Sequence, residues 1–231
     1  MLTRKIISTE DGSSTIFIPE WNESYHSKHG AVQEAYHVFI RNGFEILSNK
    51  KEISILEIGF GTGLNALITL LESQNSKQII HYTGLEKYPV AESEHRLLNY
   101  PSAILNFHPT LPFAENEIQK RYSKLMNSDW EEFQTLSSTF NLRKIQSDFL
   151  DFNYPNEAFD LIYFDAFGAR VQPELWTEEL FQKIYDSMKS NAVFTTYSSK
   201  GSVRRALIEV GLHVEKHPGP PGKREMLIAK K

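Results

Sequence analysis

The sequence contains no cysteine among its 231 residues. Disulfides, thiolate metal sites and a cysteine nucleophile are therefore excluded. No apolar run approaches the roughly 20 residues that a membrane-spanning helix needs. The first residues, MLTRKIISTEDGS, also lack the apolar segment of a secretory signal. These absences predict a cytoplasmic protein with no membrane partner.

A strong excess of one charge is missing as well, because the net charge is only −4. The charges are nevertheless uneven along the chain. Residues 200–231 contain eight basic and three acidic side chains, a balance of +5, so the rest of the chain carries −9. A basic end on an acidic body can hold a polyanion on one face. An ordinary solvated surface is the alternative.

The length and composition fit one large α/β domain, and we assign residues 1–231 to a single domain. TRKIIST and TIFIPE flank an Asp-Gly turn, which predicts an N-terminal β-hairpin. GAVQEAYHVFIRNGFEIL spaces its apolar residues at helical intervals, which predicts a helix over residues 30–47. The hairpin and helix form residues 1–50, and residues 51–231 form the core.

Strands and helices alternate through the core, which indicates a Rossmann-like, mostly parallel sheet with right-handed crossovers. Two C-terminal segments without a helix between them, HVEKHP and REMLIAK, predict a final antiparallel hairpin and bring the sheet to seven strands. A helix is also predicted over PELWTEELFQKIYDSM. The five parallel strands are predicted at ISILEI (53–58), QIIHYTGLE (78–86), RKIQSD (143–148), FDLIYFD (159–165) and AVFTTYS (192–198).

The interval between the second and third predicted strands is too long for one crossover helix. It contains the segment AENEIQKRYSKLMNSDWEEFQTL, residues 114–136, whose pattern favours a helix. We therefore predict a helical insertion over approximately residues 95–140, near the ligand-binding edge of the sheet.

LEIGFGTGLN places Gly59, Gly61 and Gly63 between the first predicted strand and the next helix. Ligands of open α/β sheets bind beyond the carboxyl ends of the strands, and glycine lets the backbone approach them closely. Leu64 stands where the dinucleotide pattern has its third glycine, and Glu57 would repel a phosphate. The turn therefore favours a cationic or zwitterionic ligand over NAD or FAD.

Acidic residues end three of the predicted strands. Glu86 lies 27 residues after Gly59, where a carboxylate accepts both hydroxyls of a ribose. Asp148 is placed to accept a bond from an adenine amino group, and Asp165 ends the fourth strand. With the glycine turn, these acids predict an S-adenosylmethionine site on a class I methyltransferase fold. Helix caps beside a tight turn are the alternative. The candidate cofactor-binding residues are Glu57, Gly59, Phe60, Gly61, Thr62, Gly63, Asn65, Glu86, Lys87, Asp148, Phe149 and Asp165.

Four motifs occur together and in order: LEIGFGTGLN, YFDAFGARVQPELWTEELF, TTYSSKGSVRRAL and GKREML. In this combination the chain resembles the methyltransferase domain of the bacterial MnmC family of tRNA wobble-uridine modification proteins, which also occurs alone as MnmD. The resemblance extends from YHSKHGAVQEAYHVF to the C-terminus and is weakest in the insertion. It implies transfer of a methyl group from S-adenosylmethionine to the aminomethyl nitrogen of uridine 34, giving 5-methylaminomethyl-(2-thio)uridine in tRNA.

Two departures from the family pattern affect loops. Ala169 follows Gly168 where the family often has Ala-Pro, and GPPG precedes Lys223 where the family often has Gly-Phe-Gly-Arg. We expect altered loop shapes and unaltered chemistry. The FAD-dependent oxidase domain of bifunctional members does not follow the last strand, which implies a stand-alone enzyme that takes the aminomethyl form.

Methyl transfer to a primary amine requires the nitrogen to be positioned and deprotonated. A primary alkylamine has a pKa of about 10, which desolvation lowers, and a carboxylate can hold the amine and take its proton. Asp165 is the predicted catalytic residue, with a structural cap as its alternative role. Phe167 and Tyr197 are candidates to line the pocket or stack on the uracil, with core packing as the alternative. The candidate phosphate contacts are Arg204, Arg205, Lys223 and Arg224.

Other functions remain open at this point. A polyamine aminopropyltransferase uses a similar sheet, although the basic residues near the C-terminus disfavour a polycationic substrate. Two further alternatives are a methyltransferase that acts on another small molecule and a degenerate methyltransferase fold that serves as a binding module without catalysis. His26, His29 and His37 lack the accompanying ligands of a metal site, and we predict no metal.

Overall fold

A computed structural model describes residues 2–231 as two sheets, one of three strands and one of eight. The small antiparallel sheet contains β1 (Lys5–Ser8), β2 (Ser14–Ile18) and β3 (Glu23–Ser24). The predicted N-terminal hairpin is confirmed. Its turn contains Gly12 at a φ of +82°, and the carboxylate of Asp11 accepts a 2.9 Å hydrogen bond from the amide of Ser13.

The predicted helix over residues 30–47 is broken into three segments. Helix α1 (Ala31–Ala35) continues as a π-helical turn over Tyr36–Arg41, and a 3-10 turn follows over Phe44–Leu47. The break falls at Gly43, whose φ of −139° and ψ of −82° lie outside the helical region. The backbone of this glycine therefore ends the continuous helix that the apolar period predicts.

The eight-stranded sheet confirms the predicted Rossmann-like α/β fold. Its elements are β4 (Glu52–Ile58), α2 (Leu64–Ser76), β5 (Ile79–Glu86), α3 (Glu92–His95), α4 (Tyr100–Phe107), α5 (Glu115–Met126), β6 (Phe133–Ser137), β7 (Phe140–Gln146), β8 (Phe159–Phe164), α6 (Glu178–Ser187), β9 (Met188–Thr196), α7 (Gly201–Glu209), β10 (His213–Pro218) and β11 (Glu225–Lys230). The strand order is β10-β11-β9-β8-β4-β5-β7-β6. Strands β4, β5, β7, β8 and β9 are mutually parallel, and β10 and β11 form the predicted antiparallel hairpin.

The sheet has an eighth strand that the sequence analysis did not predict. Strand β6 pairs antiparallel with β7 and lies inside the segment predicted to be helical. Helix α5 ends at Met126, and Glu131 adopts a φ of +73°, which a continuing helix does not allow. The insertion is therefore partly helical and partly an edge strand.

The helix predicted over PELWTEELFQKIYDSM also begins later than expected. Pro173–Trp176 form a 3-10 turn, and Thr177 then takes an extended conformation. Its hydroxyl oxygen caps α6 by accepting a hydrogen bond from the amide of Leu180 at 3.4 Å.

The register of the parallel strands aligns their carboxyl ends at one edge of the sheet. Ile58 pairs with Leu85 on one side and with Phe164 on the other. The chain proceeds from β4 to β5 and β7 in one direction, and β8 and β9 lie on the other side of β4. The topological switch point therefore lies between β4 and β8, where open α/β sheets bind their ligands. None of the helices within residues 2–231 has both the length and the apolar character needed to cross a bilayer.

Candidate functional site

The glycine turn between β4 and α2 packs directly against the loop after β8. The amides of Gly59 and Phe60 donate to the carbonyl oxygen of Leu85 over 3.1 and 2.9 Å. Gly59 has a φ of +95°, and a Cβ at this position would lie 2.6 Å from the carbonyl oxygen of Asp165. Glycine is therefore required here, both for the backbone conformation and for the close approach.

The two acids predicted to bind the nucleoside lie in different environments. The carboxylate of Glu86 accepts hydrogen bonds from the amides of Gly61 at 2.9 Å and Tyr88 at 2.8 Å, and burial raises its pKa. Each of its oxygens keeps a second lone pair for a ligand. Asp148 instead binds the ammonium of Lys87 at 2.5 Å, and this hydrogen bond lowers the pKa of Asp148.

Behind the glycine turn, one side-chain amide joins two carboxylates. The Nδ2 atom of Asn65 donates to Oε1 of Glu57 and to Oδ2 of Asp165, each over 2.8 Å. The second oxygen of Glu57 accepts a 2.8 Å hydrogen bond from the hydroxyl of Tyr82. Glu57 is fully buried, and its side chain is joined to Asp165 through the amide of Asn65.

The carboxyl group of Asp165 lies at the cavity but is surrounded by protein on most sides. This burial raises its pKa well above the usual range, and the negative charge of Glu34 raises it further. The hydrogen bond from Asn65 and the positive charge of Lys223 act in the opposite direction. A carboxylate with a raised pKa accepts a proton readily, as a general base requires.

Gly59, Glu86, Asp148 and Asp165 line a cavity of ≈ 1630 Å³ at the carboxyl edge of the sheet. The N-terminal segment, residues 2–29, covers one side of the cavity, and we call this segment the roof. Its lining residues include Arg4, Trp21 and Tyr25. The ring of Phe167 packs edge-on against Trp21 and Tyr25, with centroid distances of 5.3 and 5.0 Å. Phe167 therefore joins the loop after β8 to the roof.

Two arginines form hydrogen bonds between the roof and the rest of the protein. Arg4 donates to the carbonyl oxygen of Tyr88 and to the carboxylate of Glu94, each over 3.0 Å. Arg170 donates to the carboxylate of Glu23 at 2.8 Å and to the carbonyl oxygen of Trp21 at 2.5 Å. Both contacts join the N-terminal segment to residues that follow β5 and β8.

A lysine enters the cavity from the turn between β10 and β11. The ammonium of Lys223 lies 2.6 Å from the carboxylate of Glu34 and 3.9 Å from the ring centroid of Tyr197. The hydroxyl of Tyr197 donates to the carbonyl oxygen of Ala166 at 2.8 Å. Tyr197 therefore connects the position of Lys223 to the residue that follows Asp165.

The structure brings twelve of the predicted site residues together in the cavity wall: Gly59, Phe60, Gly61, Thr62, Glu86, Lys87, Asp148, Phe149, Asp165, Phe167, Tyr197 and Lys223. Six do not line it. Glu57, Gly63 and Asn65 lie behind the wall, and Arg204, Arg205 and Arg224 lie outside it. Of the predicted phosphate contacts, Lys223 alone points into the cavity, whereas Arg205 and Arg224 are exposed.

Sequence reasoning missed the residues that the N-terminal segment contributes, including Arg4, Trp21, Tyr25 and Glu34. No spacing rule connects these positions to the glycine turn, because the small sheet reaches the cavity only in the tertiary structure. The available signal was the cluster of aromatic and histidine residues in WNESYHSKH.

The three N-terminal histidines bind separate partners. The Nε2 atom of His26 lies 2.8 Å from the hydroxyl of Thr62, and burial lowers the pKa of His26 to about 4. His29 pairs with Glu10 at 2.9 Å, and His37 lies 2.8 Å from the carbonyl oxygen of Pro218. Within residues 2–231, no three His, Asp or Glu side chains cluster as metal ligands do.

Comparison with known proteins identifies a family. The model of a family described as S-adenosyl-L-methionine-dependent methyltransferase matches residues 114–231. This range includes β8 and Asp165, the residues after β9, and the turn that carries Lys223.

Curated relatives match over nearly the whole chain. The tRNA 5-methylaminomethyl-2-thiouridine biosynthesis bifunctional protein MnmC of Burkholderia thailandensis is 32% identical over 96% of this chain, and that of Burkholderia mallei is equally similar. The chain spans 34% of the length of these relatives.

Solved structures agree with the fold. MNMC2 from Aquifex aeolicus is 26% identical with a TM-score of 0.78, and the match covers 99% of this chain and 70% of that one. Spermidine synthase from Thermotoga maritima is 14% identical with a TM-score of 0.51, covering 100% of this chain and 73% of that one. The second likeness is one of fold alone.

Proposed function

Because the chain belongs to the S-adenosyl-L-methionine-dependent methyltransferase family, we propose that it methylates the aminomethyl nitrogen of a wobble uridine in tRNA. The methyl donor is S-adenosyl-L-methionine. The tRNA substrate is supported by the names of the curated relatives, which describe 5-methylaminomethyl-2-thiouridine biosynthesis in tRNA. The substrate would be 5-aminomethyl-(2-thio)uridine at position 34, and the product its N-methylated form.

The cavity offers groups that suit this donor. Glu86 would accept the two ribose hydroxyls, because its oxygens keep free lone pairs at the end of β5. Asp148 follows β7, one strand further, and would accept a hydrogen bond from the adenine amino group. Gly59 and Gly61 line the cavity, where a Cβ would meet the carbonyl oxygen of Asp165 at 2.6 Å and the ring of Tyr25 at 3.1 Å, respectively. The carboxylates also favour the positive charges of the sulfonium and the amino group.

One observation carries the proposal: the Asp165 carboxyl lies in the cavity at the carboxyl end of β8, held by Asn65 against the glycine turn. When bound, S-adenosylmethionine supplies a methyl group whose bond to sulfur breaks as the amine lone pair forms the new carbon–nitrogen bond. The incoming amine must lose a proton, and Asp165 accepts it. The surrounding apolar and aromatic wall also lowers the amine pKa by desolvation. Positioning of the nitrogen contributes on the order of 7 kcal/mol in favourable cases.

Phe167 and Tyr197 are placed to border the uracil ring, because both line the cavity beside Asp165. Phe167 makes T-shaped contacts with Trp21 and Tyr25, and we assign its ring to stacking or edge contact with the uracil. Arg204, Arg205 and Arg224 lie outside the cavity and are candidate contacts for the tRNA backbone.

The test uses purified protein, labelled S-adenosylmethionine and bulk tRNA from cells that lack this methyl group. Label is expected in the wobble nucleoside. Label in spermidine or another small molecule, or none in tRNA, contradicts the proposal.

Asp165→Asn should lower turnover by about 10²–10⁴-fold with S-adenosylmethionine binding largely retained. Asp151→Asn, an exposed acid of the loop after β7, is the matched control.

A further inference from the structure

His26 is a cavity residue of the roof whose position is fixed by hydrogen bonds. Its amide donates to the hydroxyl oxygen of Thr15 at 3.1 Å, and its carbonyl oxygen accepts a hydrogen bond from the hydroxyl of Ser24 at 2.7 Å. The Nε2 atom of its ring lies 2.8 Å from the hydroxyl oxygen of Thr62. The small sheet and the glycine turn therefore hold the residue between them.

Thr62 is in turn fixed by two buried tyrosines. The hydroxyl of Tyr100, at the start of α4, donates to Oγ1 of Thr62 at 2.8 Å, and the hydroxyl of Tyr122, on α5, donates to the carbonyl oxygen of Thr62 at 3.0 Å. Thr62 and Tyr100 are 0% exposed. Burial raises the pKa of Tyr100, so its hydroxyl stays protonated and remains a donor. The Oγ1 atom of Thr62 therefore accepts one hydrogen bond and has its own hydrogen left to donate.

The hydrogen of the Thr62 hydroxyl sets the tautomer of His26. Within residues 2–231, Nε2 of His26 is the one hydrogen-bonding neighbour of this hydroxyl that can accept its hydrogen. A buried hydroxyl hydrogen without an acceptor is unfavourable. Burial also lowers the pKa of His26 to about 4, so the ring is neutral near pH 7 and carries a single N–H. Because Nε2 accepts from Thr62, that N–H is on Nδ1.

The Nδ1 atom of His26 is open to the cavity. In the part of the chain that the structure describes, Oδ1 of Asn65 is the one buried side-chain polar atom without a partner. Nδ1 of His26 has no protein partner either, so it is not enclosed but accessible from the cavity that the residue lines. A neutral N–H of fixed direction at a cavity wall suits an acceptor atom of a ligand.

His26 lies between the two regions that the substrates would occupy. Through Thr62 it contacts the glycine turn, on the side of the methyl donor. The preceding residue, Tyr25, packs against Phe167 at a centroid distance of 5.0 Å, on the side assigned to the uracil. A neutral donor at this place also avoids a cation beside the positive sulfonium.

We infer that His26 binds a ligand of the methyl-transfer site by donating a hydrogen bond from Nδ1 to an acceptor oxygen, while Thr62 and Tyr100 are positioning residues that hold its ring in this tautomer. The inference rests on the proposed function. Two oxygens fit the donor, the carboxylate of S-adenosylmethionine and the O4 carbonyl of the uracil.

The first test measures the tautomer. In ¹⁵N-labelled protein without ligands, long-range ¹H–¹⁵N correlations distinguish a protonated Nδ1 from a protonated Nε2, and His26→Gln assigns the signals. We expect a protonated Nδ1 in the wild type. Thr62→Val removes the donor to Nε2, so the Nε2–H form should then appear. A protonated Nε2 in the wild type, or an unchanged tautomer in Thr62→Val, would overturn the inference.

The second test compares His26→Leu with His26→Asn. Leucine has no donor, whereas the Nδ2 atom of asparagine lies near the position of Nδ1 and still donates. Calorimetry measures S-adenosylmethionine binding to the protein alone, and steady-state kinetics measure the KM for tRNA. We expect His26→Leu to lose roughly tenfold in one of these quantities, as for one hydrogen bond, and His26→Asn to lose less. His37→Leu, outside the cavity wall, is the matched control and should change neither.

The two sources of the acceptor oxygen give different results. Weaker S-adenosylmethionine binding assigns His26 to the carboxylate of the donor, and a raised KM for tRNA with unchanged donor binding assigns it to O4 of the uracil. No loss in either quantity, or equal losses in the leucine and asparagine variants, would overturn the inference. The tautomer and the donor binding are measured without tRNA. If the wild type transfers no label to tRNA, the proposed function fails, and these two measurements still test His26.

Discussion

Asn65 donates hydrogen bonds from the same nitrogen to Asp165 and to Glu57, each at 2.8 Å. Its own oxygen, Oδ1, is the one buried side-chain polar atom within residues 2–231 that has no hydrogen-bond partner. The reverse orientation of the amide would place that oxygen against two carboxylates. The orientation of Asn65 is therefore set by the two acidic side chains that it contacts, and its hydrogen bond favours the ionised form of Asp165.

Asn65→Leu should remove this support. Asp165 and Glu57 each lose a donor, so the pKa of Asp165 rises and the acid limb of kcat moves to higher pH. Loss of these buried hydrogen bonds should also lower the free energy of unfolding by about 1–3 kcal/mol. The measurements are pH–rate profiles and urea unfolding. An unmoved acid limb in a folded variant would contradict the role.

Gly59→Ala should damage the site through the backbone. A Cβ at this position meets the carbonyl oxygen of Asp165 at 2.6 Å, so the loop after β8 must move. We expect S-adenosylmethionine affinity, measured by calorimetry, to fall by at least about tenfold, or 1.4 kcal/mol. Gly12→Ala is the matched control, because Gly12 has a φ of +82° but no neighbour within 4 Å. It should destabilise the fold by about 1–2 kcal/mol and leave affinity unchanged.

Glu57→Gln tests the buried carboxyl behind the site. Desolvation raises the pKa of Glu57 well above its ordinary value of 4.5, so the folded protein keeps a proton that the unfolded chain releases. The stability that this group contributes is full below the unfolded pKa and is lost as pH rises through the folded pKa. Relative to Glu57→Gln, the wild type should therefore lose stability as pH rises above about 4.5.

The expected difference is about 1.4 kcal/mol for each unit by which the two pKa values differ. Urea unfolding at several pH values measures it. Glu132→Gln, an exposed acid between α5 and β6, should follow the wild type. A constant difference between wild type and Glu57→Gln across this range would contradict the prediction.

Arg205→Gln and Arg224→Gln test the surface outside the cavity. If each arginine neutralises one phosphate, each variant should bind tRNA more weakly and reduce the slope of log K against log salt by about 0.7–0.9. The acid limb of kcat should stay in place, because neither arginine lies in the cavity. Lys51→Gln, exposed at the opposite end of β4, should change neither the affinity nor the slope.

The sequence by itself determined the positions that strand ends must occupy. The apolar run before Asp165 and the glycines after Ile58 specify where strands stop, and parallel strands place their carboxyl ends at one edge. Glu86, Asp148 and Asp165 can therefore be assigned to one site from the sequence alone. These inferences need only local patterns and the rule for connecting parallel strands.

Local sequence patterns predicted the secondary structure less well where the backbone leaves the helical conformation. The helix predicted through Gly43 is broken because this glycine takes a non-helical φ of −139° and ψ of −82°. Strand β6 replaces the end of another predicted helix, after Glu131 takes a φ of +73°. Helix propensity contributes only a few tenths of a kcal/mol per residue. A single residue with a non-helical backbone conformation therefore ends a helix that the apolar pattern predicts.

Only the tertiary structure decided what faces Asp165. The roof of the cavity comes from the first 30 residues, and Glu34 meets Lys223 across 189 positions of the chain. The sequence placed Lys223 and Arg224 together as phosphate contacts, whereas the turn between β10 and β11 directs one into the cavity and exposes the other. A buried carboxylate and an aromatic ring set the position of that ammonium, and such long-range pairing follows from packing rather than from spacing.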